Sequence, residues 1–399
     1  MEYKTMDDIN FENKCVFIRV DLNTTIKNNK PLLSPRIKEH TLTIAELALK
    51  KAKVVVLAHQ GRKAQQDFIG LEGHAKLLKK ELKKINSKLD VKFVDDVCGQ
   101  KAIENIKNLK IGEILLLQNT RFLDCETDFE KTAKCQIVDN LEPLCDIFVL
   151  DALSVAHRAH ASVIGFKKPL KVAGRVLEKE LKALEKFQNE NNKPKVLILG
   201  GAKIKDSASI LEFWLKNNKA DYILIGGLIG VVMLVASGKK IPQKIELEDG
   251  ILEKLQKLYS QYKDKIILAE DVLLNTKPKP KALRLDKLES MSGEIYDIGP
   301  KTIEKFSKII LGSKSIIFNG PMGVYEKKGF EKGTKKILQA ILKSKGFSII
   351  GGGNSTDAIE KLKLKKEKFG YVSLSGKAFI EYLTEGTLPG IEYLRDSSS

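Results

Sequence analysis

The sequence predicts an α/β protein of two doubly wound parallel-sheet domains facing across a hinged cleft and joined by a long helix. Three observations carry this expectation. At 399 residues the chain exceeds one ordinary core and suits two of typical size. In both halves short apolar runs alternate with amphipathic stretches, the pattern of strands and helices wrapped around a parallel sheet. Between the halves, Ala173 to Asn189 is charged with apolar residues at helical spacing, and Asn191 to Pro194 breaks it. The expected limits are 1–172 for the first domain, 173–189 for the joining helix, 190–375 for the second domain, and 376–399 for a segment returning toward the first.

In chain order, Cys15 to Val20, Val54 to Ala58, Ile114 to Leu117 and Ile147 to Leu150 read as buried strands of the first half, with His40 to Lys51 and His74 to Asn86 as amphipathic helices. Val196 to Leu199, Tyr222 to Ile225, Ile266 to Leu268, Ser315 to Phe318 and Ser348 to Ile350 are the strands of the second half. Four of these five run into glycine. No fixed-period repeat or low-complexity block interrupts the pattern, and the tail from Leu394 to Ser399 reads as frayed or docked on the surface.

The composition, 43% hydrophobic and 30% charged, is that of a soluble globular chain. The N-terminus is polar and no run has the length to span a bilayer, so a cytoplasmic protein without a membrane partner is expected. Cys15, Cys98, Cys125, Cys135 and Cys145 form no C-x-x-C pair and read as reduced thiols. No H-x-x-x-H helix is present, so a metal would be held by oxygen ligands or by the substrate. The net charge of +18 raises a nucleic-acid reading, but the lysines are interspersed with acids, as in Lys79 to Lys84 and Lys361 to Lys368, rather than gathered in a stripe. No specific nucleic-acid partner is expected; the charge favours encounter with small polyanions.

Arginine is used sparingly: eight of 69 basic residues, six of them in the first 175 positions. Its planar fork binds carboxylate or phosphate bidentately, so a lysine-rich chain has reason to keep it where that geometry matters. In open parallel sheets ligands gather beyond the carboxyl ends of the strands. There this chain places Arg19-Val-Asp21-Leu-Asn23, His59-Gln-Gly-Arg62, Asn119-Thr-Arg121 and Asp151 with His157-Arg158, to which Ser34-Pro35-Arg36 adds a further arginine. Five arginines and two histidines can converge on one rim. Asp21 and Asn23, at alternate positions, can accept from a hydroxyl or orient an arginine; the plainer reading pairs Asp21 with Arg19 or Arg36. The matching ligand is a small, hydroxylated, phosphorylated acid.

The strand ends of the second half carry Gly200-Gly201-Ala202-Lys203, Gly226-Gly227, Asn319-Gly320-Pro321-Met322-Gly323 and Gly351-Gly352-Gly353-Asn354. Glycine lets backbone N–H groups approach phosphate, and a helix start adds its positive dipole end. Four such turns suit a nucleotide, although neither the dinucleotide fingerprint nor the P-loop is present. Lys203 supplies charge for a transferring phosphoryl group.

Taken together with Phe122, Asp151-Ala152, Ala156-His157-Arg158 and Asn319-Gly-Pro-Met-Gly-Val-Tyr-Glu326, these stretches resemble, in order and over almost the whole chain, the signature set of phosphoglycerate kinases. The Gly226-Gly-Leu-Ile-Gly230 segment looks like the archaeal branch. The resemblance implies two Rossmann-like domains and reversible phosphoryl transfer between 1,3-bisphosphoglycerate and ADP. It implies that Asp21, Asn23, Arg36, His59, Arg62, Arg121 and Arg158 hold 3-phosphoglycerate. It further implies that Gly200, Gly201, Ala202, Lys203, Asn319, Gly320, Pro321, Gly323, Val324, Glu326, Gly351, Gly352, Gly353, Asn354 and Ser355 hold Mg-ADP or Mg-ATP, with Glu326 at the ribose. Arg36, Lys203, Gly353 and Gly376 would serve the migrating phosphoryl group, and Asn354 is the one protein group placed near Mg2+. A monomer is expected.

The chain departs from the family pattern in the second half. Ser207 stands where many members have a second lysine, with Lys205 on another face; Asn354-Ser355 replaces Asp-Thr; and Ser373-Leu374-Ser375-Gly376-Lys377-Ala378 replaces a glycine-rich turn. Lys377 could restore the charge absent at Ser207, or be a solvated lysine. The alternative function is a catalytically weakened binding or moonlighting relative; a dehydrogenase lacks its fingerprint.

Overall fold

The structure, a computed structural model, describes residues 3–189 and 191–396. Its chain divides into two compact units: one runs from the N-terminus to Leu181 and takes in the segment from Thr387 on, and the other is Lys182–Gly386. The three terminal serines and Glu190 lie outside the described residues.

The first unit is built on a six-stranded parallel sheet in the order Val91–Phe93, Ile114–Leu116, Lys53–Leu57, Cys15–Arg19, Ile147–Leu150, Leu170–Ala173. Cys15–Arg19 is the switch point: from it the chain moves first toward Lys53–Leu57 and later back toward Ile147–Leu150. Val16, Phe17 and Ile18 are fully buried on both faces, as helices on both sides of a parallel sheet require. Pro35–Leu49 is the first of these helices. Ser34 caps it by accepting from the Ile37 N–H at 3.4 Å, and Pro35 occupies the first turn. The helix thus begins at Pro35, ahead of the His40 at which the periodicity began, and that start fixes Arg36 in its first turn.

The second unit carries a parallel sheet in the order Ile266–Ile267, Tyr222–Ile225, Lys195–Leu199, Ser315–Asn319, Phe347–Gly351, Tyr371–Val372. Its switch point lies between Lys195–Leu199 and Ser315–Asn319, which pair directly. An antiparallel sheet of Lys281–Arg284, Asp271–Asn275 and Glu294–Ile298 joins it. The helix Lys377–Glu385 packs within this unit, where Leu383 O accepts from Trp214 Nε1 at 2.7 Å.

Three features correct the sequence reading. The joining helix is Arg175–Gln188; Ala173 instead ends a strand, because Leu170–Ala173 completes the sheet edge. The edge strands Val91–Phe93 and Tyr371–Val372 and the antiparallel strands Asp271–Asn275, Lys281–Arg284 and Glu294–Ile298 were not anticipated, because most are short or interrupt their apolar residues with charged ones. Cys125 and Cys135 are disulfide-bonded rather than reduced. Cys125 opens the helix Cys125–Thr132, and Ala133 in the left-handed region (φ 52°) turns the chain back, bringing the two Cα atoms to 5.0 Å. Cys15, Cys98 and Cys145 are free thiols, each pushed up by burial, Cys98 to about 11 and Cys15 to about 12. No helix of the described residues is long and apolar enough to cross a membrane.

Candidate active site

In the first unit the carboxyl ends of the central strands are tied to one another through side chains. Asn23 Oδ1 accepts from the Gly61 N–H at 2.9 Å, and Asn119 Nδ2 donates to Gln60 O at 2.8 Å. Gln60 bonds Thr24 through both ends of its amide, at 2.9 and 3.1 Å. Gly61 has φ 68°, and a Cβ there would stand 2.4 Å from Asp67 O, so this turn demands glycine. Asp21, Asn23, His59, Gly61, Arg62 and Arg121 are thereby held on one edge by short, cross-bonded loops.

Asp21 is buried and accepts from Ser154 Oγ at 2.6 Å and the Asn23 N–H at 3.0 Å; Arg36 Nη1 lies 3.1 Å away. Burial alone would raise its pKa. Arg36, Ser154, His40 and the Asn23 amide together outweigh burial and hold the carboxyl below the usual range. The Asp21–Arg36 pairing is the plainer arrangement read from sequence, and it leaves the half-exposed arginine at the rim.

Arg19 does not reach the rim, which corrects the expected cluster of five. It is fully buried: Nε donates to Ser162 Oγ at 2.8 Å, Nη1 donates to Val20 O, and Nη2 lies 3.0 Å from His59 Nδ1. Burial pulls its pKa down, while Glu126 and Asp21 push it up. Since a guanidinium only donates, His59 Nδ1 must accept and the ring proton sits on Nε2. Burial, then Arg19 and Arg158, hold the His59 pKa well below the usual value and keep the ring neutral. Arg19 therefore sets a tautomer.

Arg121 is buried, and Nη1 donates to Gly61 O; its Nε is buried with no hydrogen-bond partner among the described residues. Arg62 is exposed and forms no ion pair among the described residues. Arg158 Nε donates to His157 Nε2 at 3.0 Å. Behind these groups lies a buried carboxylate that sequence reasoning missed. Glu126 accepts from the Ser162 N–H at 2.8 Å, Ser162 Oγ at 2.5 Å and Thr120 Oγ1 at 3.2 Å. In sequence it is one acid in an acidic helix; only its zero exposure sets it apart.

In the second unit a cavity of about 310 Å³ opens at the carboxyl edge of the sheet. Ile225, Leu228, Val231, Leu234, Val272 and Met322 give it apolar walls; Gly201, Ala202, Pro321, Gly323, Val324, Glu326 and Asn354 line it as well. The glycine turns interlock: Gly201 N–H donates to Pro321 O at 2.7 Å, Gly227 N–H to Met322 O at 2.8 Å, and Leu228 N–H to Gly201 O at 2.9 Å. A Cβ on Gly200 would fall 2.2 Å from Pro321 O. Part of the glycine content thus serves backbone packing between turns, not ligand approach alone. Gly353 opens the helix Gly353–Lys361 into free space, with Asn354 exposed beside it, while Ser355 is buried and accepts from the Gly320 N–H at 2.8 Å.

Lys203 caps the helix Ile204–Lys216, is exposed, and makes no ion pair among the described residues. Lys205 pairs with Glu248 at 2.8 Å, and Ser207 is buried on the inner face, so neither adds a cation beside Lys203. Lys377 is committed to Glu381 at 2.7 Å. Asp297, buried at the cavity wall, has its pKa raised to about 7 by burial, against the Gly333 and Ile298 N–H groups it accepts from.

The phosphoglycerate kinase family profile matches residues 6–386. The phosphoglycerate kinase of Methanopyrus kandleri is 38% identical over 97% of this chain and 96% of its own, and that of Methanococcus maripaludis 39% over 99% and 98%. Among solved structures, the phosphoglycerate kinase of Pyrococcus horikoshii superposes with a TM-score of 0.85 at 32% identity, covering 99% of both chains, and that of Coxiella burnetii with 0.86 at 31%, covering 100% of both.

Proposed function

Because this chain belongs to the phosphoglycerate kinase family, we propose that the arginine rim of its first unit holds the three-carbon acid and the glycine-walled cavity of its second unit holds the nucleotide. The chain is a phosphotransferase, and its reaction is reversible transfer between 1,3-bisphosphoglycerate and ADP, giving 3-phosphoglycerate and ATP.

The acid assignment rests above all on Arg121. A buried guanidinium with an unbonded Nε is costly unless a ligand completes it, and a phosphate or carboxylate oxygen does so. Arg62 and Arg158 flank the anion. Asp21 and Asn23 orient it through its hydroxyl, and neutral His59 donates from Nε2. Arg36, released from Asp21, follows the transferring group.

In the second unit the apolar walls take the base, Glu326 the ribose, and Lys203 with the N–H groups at Gly353 and Gly376 the phosphates. Phosphoryl transfer asks for positioning and charge neutralisation rather than covalent chemistry. Lys203, exposed at a helix start and without an ion pair among the described residues, can move to the γ-phosphoryl oxygens. No three of His, Cys, Asp or Glu cluster as a metal cage among the described residues. Mg2+ carried in by the nucleotide would keep waters and phosphate oxygens as its ligands and would need few from the protein. Asn354 would be its protein contact, and the ion would neutralise phosphate charge. The proposed compartment of the reaction is the cytoplasm.

Titration calorimetry separates the two assignments. Arg121→Ala should weaken 3-phosphoglycerate binding at least about tenfold and leave ADP binding unchanged, whereas Leu228→Trp, which fills the cavity, should weaken only ADP. Unchanged acid binding in Arg121→Ala would contradict the acid assignment.

A further inference from the structure

The disulfide and the buried carboxylate beside it are used by none of the roles above, yet they connect to the acid rim through an unbroken chain of contacts. Cys125 forms the bond to Cys135, and the next residue, Glu126, is fully buried. Glu126 holds both the N–H and the Oγ of Ser162, and Ser162 Oγ in turn receives Arg19 Nε. Arg19 Nη2 sets the His59 tautomer. Glu126 also receives Thr120 Oγ1, next to Arg121. His59 and Arg121 thus both depend on where Glu126 sits.

We propose that the Cys125–Cys135 disulfide is a redox-sensitive clamp on Glu126, and that Glu126 is a positioning residue for His59 and Arg121, so that the oxidation state of this pair sets the affinity for the three-carbon acid. The proposal rests on the reading of this rim as the acid site. The helix that presents Glu126 is short, Cys125–Thr132, and is followed by a left-handed turn at Ala133. An eight-residue helix has little stability of its own, so its first turn is held by tertiary ties. The disulfide is the covalent one, and it removes conformations available to the open loop. Cys125 is half-buried and Cys135 buried, so a reducing dithiol would enter at Cys125 Sγ. Its thiolate forms a mixed disulfide there and expels the Cys135 thiolate, which takes a proton. The second thiol of the reductant then closes on the first, releasing the Cys125 thiolate, which is protonated in turn. Two protein thiols and one oxidised dithiol result, and two electrons pass to the protein. Once the clamp is open the Glu126 turn samples other positions, and Arg19 and His59 lose their fixed geometry.

The test is to measure steady-state kinetics for both substrates on the wild-type chain after oxidised glutathione and after dithiothreitol, with free thiols counted by mass spectrometry after alkylation. Three thiols are expected in the first state and five in the second. Reduction should raise the KM for 3-phosphoglycerate on the order of tenfold, leave the KM for ATP within about twofold, and reverse on reoxidation. Cys135→Ser should stay at the reduced value under both treatments, and Cys98→Ser should behave as wild type. Glu126→Gln, which keeps the shape and loses the charge, should raise the acid KM with little change in kcat at saturation. Five thiols after oxidation, or equal acid KM in verified oxidised and reduced states, would overturn the proposal. If Arg121→Ala binds the acid normally, the acid-site reading itself has failed; if Arg121→Ala fails to bind while redox state has no effect, only the clamp is wrong.

Discussion

Individual side chains divide into those whose task follows from residue type and those whose task follows from burial. Arg36, Arg62, Arg121 and Arg158 stand out in the sequence as candidates for the proposed acid site because arginine is rare in this chain and these lie just past strand ends or, for Arg36, at a helix start. Arg19 carries the same sequence signal but turns inward, because the last residue of a central strand is covered on both faces. Glu126 and Ser162 were not legible, since an acid or a serine in a short helix looks the same whether solvated or buried. Lys377 resolves toward the plainer reading. Its ion pair with Glu381 and its exposed position predict that Lys377→Ala changes kcat by less than about twofold; a tenfold loss would restore it as a substitute for the lysine absent at Ser207. Arg36→Ala should act differently from Arg121→Ala. It frees Asp21, whose carboxyl loses its nearest cation, and it removes a cation from the migrating group. In steady-state assays kcat should therefore fall by two orders of magnitude or so, with a smaller change in acid KM.

Among elements, the central parallel strands were readable where an apolar run ended in a polar or glycine turn, and their carboxyl ends carry the residues proposed for the acid and the nucleotide. The antiparallel strands Lys281–Arg284 and Glu294–Ile298 were not, because the first is largely exposed and the second buries an aspartate between its two isoleucines, which interrupts the apolar run. The glycine turns were read as phosphate cradles, and the hydrogen bonds among Gly201, Gly227, Pro321 and Met322 add a packing role that sequence cannot separate from the first. Gly200→Ala distinguishes them. A Cβ 2.2 Å from Pro321 O must push the two turns apart, so the second unit should lose about 2 kcal/mol of stability. Calorimetric melting should show that loss even without nucleotide. A variant of unaltered melting temperature and weakened ADP binding would mean that the glycine serves only the ligand.

At the scale of the molecule, the two units should respond to pH with opposite signs. His59, His74 and His160 lie in the first unit with pKa values depressed chiefly by burial, His74 to about 4 and His160 to about 3. The unfolded chain takes up protons near 6.5 while the native unit does not, so this contribution is complete above that pH and is lost as pH falls. Lowering the pH from 7.5 to 5.0 should cost on the order of 2 kcal/mol per histidine. Asp297, in the second unit, has the raised value of about 7, so protonation on the same descent relieves a buried charge and stabilises. Hydrogen exchange read on peptides of each unit should show faster opening in the first and slower in the second; parallel changes would refute the assignment.

The central claim, that this chain transfers a phosphoryl group despite Ser207, Asn354 and the altered turn at Gly376, is tested most directly by a coupled assay of 3-phosphoglycerate-dependent ATP consumption with Mg2+, run on the purified protein and on Lys203→Ala. Turnover is expected in the range of roughly 1 to 100 per second, with a collapse in the variant. A folded protein that binds 3-phosphoglycerate but shows no turnover, or a Lys203→Ala variant as fast as wild type, would contradict it.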